Sequence, residues 1–429
     1  MTFRSIQEIY VRMIYSACVV LETTDLKILC DPWFTDGVYD GSWFLYPKTD
    51  DPISVIGDCD YVYVSHIHPD HYDPVFLHSY FEKYGQKEIL IADFPENYLS
   101  KVMQREGFSV RICADSLKVA NSTVTIRPHV TNSQSDVDSA LLLEYQDTDR
   151  VHRVLNLNDC IFDAEFLSAY NFEESIDILL LGYTGAGPYP QTYFDLSDPA
   201  LGVAAENKKQ QFFDRYLATV NAVPSKVRIP FAGQYLLGGS LASLNPFRGV
   251  ADAIEVTSID KGAVVLEEYE GSIGTSLLQA ISPRIQEISR TLINGRIGEI
   301  GKSHMRYELI ADGLITDDIV LNLLGKALVR ARRKSECKQD YFFCFQLSAD
   351  RFAVLNANMN ATGGIEVIDI HDQLPEPRSV ISMDVRYLFG LITGVFHWNN
   401  AEVGSQFQSR RTPDQFSREA QNFLNFLTV

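Results

Sequence analysis

The stretch Ser65-His66-Ile67-His68-Pro69-Asp70-His71-Tyr72-Asp73 places four metal-competent side chains, His66, His68, Asp70 and His71, inside six positions. Directly before it, Asp60-Tyr-Val-Tyr-Val64 alternates and is rich in β-branched and aromatic residues, which predicts a strand ending where the cluster begins. Imidazole and carboxylate are donors that divalent Zn, Fe, Mn and Ni accept, and a turn leaving a strand can aim them at one point. In an extended run the two-residue period puts His66, His68 and Asp70 on one face and His71 on the other, so one segment can serve two adjacent metals. The competing reading is a surface loop that is merely His-rich. With nine His in 429 residues, four such donors so close together argue against it.

The whole chain narrows the setting. At 429 residues, with 46% hydrophobic and 11% aromatic side chains, it has material for two or three globular domains with full cores. A formal net charge of -19 repels nucleic acid and anionic membranes, so neither is an expected partner, and an anionic substrate needs a metal or an arginine. The segment Met1-Thr-Phe-Arg-Ser-Ile-Gln-Glu8 lacks the apolar core of a signal peptide, and no later run approaches the ~20 apolar residues of a membrane span. Seven cysteines (Cys18, Cys30, Cys59, Cys113, Cys160, Cys337 and Cys344) are scattered without a Cys-x-x-Cys pair and read as reduced thiols. A soluble cytoplasmic protein is expected. The paired Cys-x-His motifs of a Rieske-type cluster are also missing.

Short apolar runs at Tyr10 to Ile14, Cys18 to Glu22 and Leu26 to Cys30 predict a meander of strands. Further strands are expected at Glu88 to Ala92, Ser109 to Cys113, Val124 to Arg127, Ala140 to Glu144 and Val151 to Leu155, with helices around Asn97 to Glu106 and Asn207 to Val220. The fold class is α+β: an αββα sandwich over residues 1–265, followed by a smaller α+β domain over 266–429. In the latter, Gly271 to Ile293, Asp317 to Arg333, Met383 to Gly394 and Pro413 to Leu427 read as helices. Strands are expected at Asp340 to Gln346, Arg351 to Leu355 and Gly364 to Ile368.

Four donors in one loop need partners from elsewhere. His129, read as lying just after a strand, is the best third imidazole, against a plain loop histidine. Asp159, in Asn156-Leu-Asn-Asp-Cys160, follows another strand and can bridge two metals or complete one site, against an Asx turn opening a helix. The glycine-rich loop Gly182 to Gly187, continuing through Tyr189, lacks the Lys and Ser/Thr of a phosphate loop and reads as a place for close backbone approach.

His-x-His-x-Asp-His after a strand, with a later His and Asp at further strand ends, resembles the metallo-β-lactamase superfamily. More narrowly, Asp31-Pro-Trp33, Trp43-Phe-Leu45, Ser65 to His71, Asp159-Cys160, Gly182-Tyr-Thr-Gly-Ala-Gly187 and Pro230-Phe-Ala-Gly233 resemble, in order, the metallo-β-lactamase-like part of CMP-N-acetylneuraminate hydroxylases. The resemblance spans residues 10 to about 250. It implies one metal on His66, His68 and His129, and a second on Asp70, His71 and Asp159. Where most of the superfamily ends its site with a late His, this chain has Pro230-Phe-Ala-Gly-Gln234, so Gln234 or water takes that place. The hydroxylases also carry a Rieske domain ahead of this fold, whereas here the fold starts near Met1, so a separate electron-donor protein is expected.

The expectation is a metalloenzyme with one or two divalent ions, iron before zinc or manganese, and a small-molecule substrate. Asp70 and His71 would complete or tune the site, and Gly185, Gly187, Tyr189 and Gln234 would line the substrate pocket. The first reading is oxygenase-like chemistry on a sugar nucleotide or related polar metabolite. The alternative is a hydrolase of a phosphodiester, lactone or amide, in which the cation lowers the pKa of water to about 7 and Asp70 orients it. In the carboxyl-terminal part, Leu388-Phe-Gly-Leu-Ile-Thr-Gly394 faintly resembles sterol-carrier-like domains, though such spacing more often fills a core. A role in homodimerisation or in covering the pocket is expected there.

Overall fold

The strand Tyr61–Tyr63 ends two residues before Ser65 and lies inside an eight-stranded sheet. The structure, a computed structural model, describes residues 7–130, 137–160, 162–168, 170 and 175–429, so the extreme amino terminus read above for a leader lies outside the described residues. The order in this sheet is Ala280–Ile281, Ser272–Gly274, Tyr10–Tyr15, Cys18–Glu22, Lys27–Cys30, Tyr61–Tyr63, Glu88–Ala92 and Ser109–Cys113. Tyr10–Tyr15 through Lys27–Cys30 form the expected antiparallel meander. From Lys27–Cys30 to Ser109–Cys113 the pairing is parallel, and the helices Pro74–Tyr84 and Tyr98–Arg105 make the crossovers. Each helix is capped by the side chain just before it, Asp73 accepting from the Phe76 N–H and Asn97 from the Ser100 N–H.

A second sheet of six strands runs Ser225–Phe231, Ile176–Gly182, Val151–Asn156, Val137–Gln146, Ser122–Val130 and Leu117–Val119. Alternation along Ile176–Gly182 stacks the layers. Ile178 and Leu180 enter one core with Val11, Ile28 and Val62 of the first sheet, while Leu179 and Leu181 join Phe213 and Tyr216 of the helix Pro199–Ala222. Leu77, Tyr80, Leu99 and Met103 bring the crossover helices onto the first sheet. The layers are therefore helix, sheet, sheet, helix, the αββα sandwich expected from the strand pattern. Each buried Leu or Ile is worth roughly 1.5–3 kcal/mol, so a one-residue slip, which would exchange the two faces, is strongly disfavoured.

The segment read as a helix from Gly271 to Ile293 is different. Ser272–Gly274 pairs with Tyr10–Tyr15 and Ala280–Ile281 pairs with Ser272–Gly274, and the helix covers only Arg290–Ile300. Ile273 is fully buried while Leu277, Ile281 and Ile285 are exposed, and Pro283 disfavours helical geometry in the residue before it. The first sheet thus takes a strand from beyond residue 265, the boundary expected between domains.

The carboxyl-terminal part has a five-stranded sheet ordered Glu366–Ile368, Phe352–Asn356, Phe342–Gln346, Arg378–Ser382 and Gln408–Thr412. The helices Asp317–Ser335, Val385–Ile392 and Arg418–Asn425 close a core in which Leu388, Leu391 and Ile392 are buried, the packing role their spacing favours. The basic run Arg332, Arg333 and Lys334 ends the first of these helices, opposite Asp317 and Asp318 in its first turn, so both charge groups suit the helix dipole. No helix among the described residues is long and apolar enough to cross a membrane.

Candidate metal centre

Between Tyr61–Tyr63 and the helix Pro74–Tyr84 the chain does not stay extended. The N–H groups of His71 and Tyr72 both bond to the His68 carbonyl, at 3.0 and 2.8 Å, and this turn brings His71 back beside His66. The one-face, other-face arrangement expected of an extended run is replaced by a curl that gathers the rings. The His66 and His71 ring centroids lie 4.2 Å apart, and those of His66 and His68 lie 4.5 Å apart. His66 and His71 are buried.

Each ring has one nitrogen fastened and the other turned to a common centre. His71 Nδ1 lies 3.0 Å from Asp31 Oδ2 and 3.2 Å from Ser65 Oγ. Its Nε2 faces Asp159 Oδ2 at 3.4 Å and Asp70 Oδ2 at 3.6 Å. His66 Nδ1 lies 2.9 Å from Ser65 Oγ and 3.3 Å from Asp138 Oδ1, and its Nε2 faces His68 Nδ1 at 2.8 Å. His68 Nε2 lies 2.8 Å from Asn399 Oδ1. The second carboxylate oxygen available at Asp70 accepts the Tyr39 hydroxyl at 2.5 Å.

The donor set fits a divalent metal. Ligand atoms of His66, His71 and Asp159 all lie within 4.8 Å of one another. Donors around a tetrahedral ion at about 2.1 Å are separated by roughly 3.4 Å. The 3.4 and 3.6 Å gaps at His71 Nε2 are of that size.

The charges agree with a site built for a cation. Burial alone would lower the His71 pKa, but the carboxylates of Asp159, Asp70 and Asp31 raise it well above the usual imidazole value. Burial also opposes protonation of His66, yet Asp138 leaves its pKa raised. His68, without such a carboxylate contact on its ring, falls to about 4 through burial and the charge of His66. Burial would raise the pKa of Asp159, but the charge on His71 outweighs it and holds the carboxyl below the usual range.

His129 is not among the three residues whose ligand atoms all lie within 4.8 Å of one another among the described residues. It lies inside the strand Ser122–Val130, not after it, and shares a face with Arg127. That face carries Arg127 to the Tyr170 ring and the His129 ring to Phe166, at 4.6 Å, with His129 Nε2 at 3.5 Å from Asp163 Oδ2. His129 Nε2 is buried without a hydrogen-bond partner among the described residues. Its cross-strand partner Asp138 reaches His66 instead, and Asp138 Oδ2 is buried without a hydrogen-bond partner among the described residues. Asp159 sits at the end of a turn in which Asn158 takes a left-handed φ of 49° and its N–H bonds to Asn156 Oδ1. The Asx turn is thus Asn156's, and Asp159 is left to face His71.

The four residues expected to line the pocket have mixed settings. A Cβ on Gly185 would fall 2.2 Å from Phe212 Cζ, so its small size serves the packing of the helix Pro199–Ala222. Gly187 has a φ of +110° and its carbonyl accepts Gln191 Nε2, which also bonds to Ser405 Oγ. Tyr189 is exposed. Gln234 uses its backbone carbonyl to accept the Tyr15 hydroxyl, and the next residue, Tyr235, stacks on Trp43 with centroids 3.5 Å apart.

Sequence reading missed Asp31, Asp138, Tyr39 and Asn399 as site residues. Asp31 carried a signal, since Asp31-Pro-Trp33 ends a strand beside the one that precedes the histidines. Asn399 carried none, because 331 residues separate it from His68. The rim is built from both parts of the chain. Tyr387 donates to Asp40 Oδ2, Ser42 Oγ to the Gly404 carbonyl and Gln406 Nε2 to the Tyr39 carbonyl.

Layered sheets with this donor loop at their edge make an αββα sandwich with a candidate metal centre. In sequence it is similar to a "Putative Rieske 2Fe-2S iron-sulfur protein" of Mycolicibacterium smegmatis, with 31% identity over 241 residues covering 54% of this chain and 45% of that protein. It is also similar to the cytidine monophosphate-N-acetylneuraminic acid hydroxylase of Danio rerio, 21% identical over 240 residues covering 53% of this chain and 38% of that one. These matches span less than half the length of either relative. Among solved structures, an isothiocyanate hydrolase from Delia radicum gut bacteria aligns with TM-score 0.43 at 14% identity, covering 62% of this chain and 98% of that one. CmlA, a diiron β-hydroxylase from Streptomyces venezuelae, aligns with TM-score 0.39 at 15% identity, covering 64% and 54%. No family model matches the chain.

Proposed function

We propose that the chain is a metal-dependent oxygenase in which His66, His68, His71, Asp70 and Asp159 hold one or two iron ions and a polar small molecule, such as a sugar nucleotide, is hydroxylated. The observation that carries the metal is the gathering of His66, His71 and Asp159 ligand atoms within 4.8 Å of one another, with Asp70 Oδ2 3.6 Å from His71 Nε2 and His68 Nδ1 beside His66 Nε2. Sequence likeness to the sialic acid hydroxylase and to a Rieske-named protein supports oxidation over hydrolysis. When bound, iron supplies the activation of dioxygen.

The chain's own residues do the rest. Asp31 and Ser65 hold the His71 ring, and Ser65 and Asp138 hold the His66 ring, so both keep Nε2 turned inward. The Tyr39 hydroxyl neutralises part of the Asp70 charge and fixes that carboxylate. The loop from Gly182 to Tyr193, with Gly187 and Tyr189, and the Trp43–Tyr235 stack supply walls for a substrate. Hydroxylation of a C–H bond consumes dioxygen, two electrons and two protons and yields the alcohol and water. The two electrons must be supplied by a reductant.

The test is metal analysis of protein purified without oxygen, followed by exposure to dioxygen with a chemical reductant. Iron at one or two equivalents and an oxygen-dependent spectral change are expected. Stoichiometric zinc, no iron uptake, and oxygen-independent cleavage of a phosphodiester or lactone panel would replace this reading with a hydrolase.

A further inference from the structure

Three rings point one nitrogen at the centre, and for two of them the opposite nitrogen is held within the αββα sandwich, by Asp31 and Ser65 for His71 and by Ser65 and Asp138 for His66. His68 differs, because its outer nitrogen meets a residue of the carboxyl-terminal part, Asn399 Oδ1 at 2.8 Å. A neutral imidazole carries one proton, so a hydrogen-bond acceptor at Nε2 puts the proton there and leaves the Nδ1 lone pair for a cation. His68 Nδ1 is the atom on the inner side, 2.8 Å from His66 Nε2.

Asn399 is built to hold that place. Its neighbour Trp398 is fully buried, packs against Phe345 and Phe407, and donates from Nε1 to the Leu427 carbonyl. Its own N–H bonds to His397 Nδ1, which caps the short helix Trp398–Val403. Five residues further on Gly404 accepts the Ser42 hydroxyl, and two beyond it Gln406 reaches the carbonyl of Tyr39, whose hydroxyl is on Asp70. The segment from Asn399 to Gln406 therefore touches the candidate centre twice, once through His68 and once through Tyr39 and Asp70.

We infer that Asn399 is a positioning residue of the metal centre, fixing His68 in the Nε2–H form so that Nδ1 binds the ion, and that the carboxyl-terminal part is a structural component of that centre. This rests on the metal reading above. The experiment uses the full chain with ¹⁵N-labelled histidine, loaded with zinc as a diamagnetic probe. Zinc affinity by chelator competition is compared for wild type, Asn399→Leu, Asn399→Asp and His71→Ala, and long-range ¹H–¹⁵N spectra report which His68 nitrogen carries the proton.

Asn399→Leu is expected to weaken zinc binding by about 10- to 100-fold and to lose the single Nε2–H form, while Asn399→Asp, a stronger acceptor, restores both. Rescue by aspartate separates positioning from a general loss of folding, because a fold defect caused by removing asparagine would not be repaired by adding a charge. Wild-type affinity in Asn399→Leu together with lost affinity in His71→Ala overturns this inference alone. Wild-type affinity in both overturns the metal reading with it, and zinc bound through His68 Nε2 overturns the positioning role directly.

Discussion

Asp31 uses its two carboxylate oxygens for two tasks, Oδ1 accepting the Ser65 N–H at 2.7 Å and Oδ2 meeting His71 Nδ1 at 3.0 Å. It is completely buried, and its backbone takes a left-handed φ of 43° to make that reach. One side chain thus sets both the entry of the donor loop and the orientation of its last ring.

Asp31→Asn keeps the shape and removes the charge. Zinc or iron affinity is expected to fall by about 10- to 100-fold in a chelator competition, with the protein still folded. Asp31→Ala is expected to be worse, since it leaves the buried Ser65 N–H without an acceptor, a loss of about 1–3 kcal/mol that a denaturant titration reads directly. An unchanged affinity in Asp31→Asn would show that His71 needs no carboxylate behind it.

Metal binding is expected to release protons. The carboxylates around His71 raise its pKa well above the usual imidazole value, so at neutral pH the metal-free site holds a proton there that a cation must displace, and His66 is shifted in the same direction. Affinity then rises with pH until the His71 ring is neutral, by about tenfold per unit for each proton displaced. Calorimetry of zinc binding in buffers of different ionisation enthalpy measures the proton count, and a pH-independent affinity between 6 and 8 would contradict it.

The ligand assignments separate by substitution. His68→Ala and His71→Ala are each expected to remove most bound metal, whereas His129→Ala, whose ring packs on Phe166 and faces Asp163, is expected to retain most of it. Elemental analysis of the three purified variants decides this. Equal losses in all three would restore the triad that the resemblance implies.

Gly185→Ala tests whether that glycine serves packing or substrate. The new Cβ would meet Phe212, so a lowered Tm from a cost of about 1–3 kcal/mol is expected. Adding Phe212→Leu is expected to recover much of it in a double-mutant cycle. A raised KM at unchanged Tm, with no recovery, would assign the glycine to the substrate.

Ile273→Ala is expected to cost about 2–5 kcal/mol, whereas Leu277→Ala, at a site 83% exposed, stays within about 0.5 kcal/mol. Urea titration of the two variants reads the difference, and similar costs would argue for the helix.

That last pair shows why part of the fold was illegible. Ile273, Leu277, Ile281 and Ile285 recur every fourth residue and imitate a helical stripe, yet only Ile273 is buried. Pairing with Tyr10–Tyr15 supplies what local pattern cannot show. The strand Glu88–Ala92, by contrast, matches its apolar run end to end, because a strand buried inside a sheet shows its whole length as apolar sequence. The donor loop was legible because its candidate ligands fall within six positions. Asp31, Asp138 and Asn399 were not, since each acts across a long stretch of chain and an isolated acidic or amide residue looks the same in a turn, a cap or a site.

The strand Ser272–Gly274 also has a consequence in time. The Ile9 N–H bonds to Thr275 Oγ1 across 266 residues, and Tyr10–Tyr15 lies between Cys18–Glu22 and this late arrival. During synthesis the outer edge of Tyr10–Tyr15 therefore stays without its partner strand until the ribosome has moved well past residue 281. Until then the nascent sandwich presents an open border of the kind that invites wrong pairings, a hazard that the finished molecule no longer carries there.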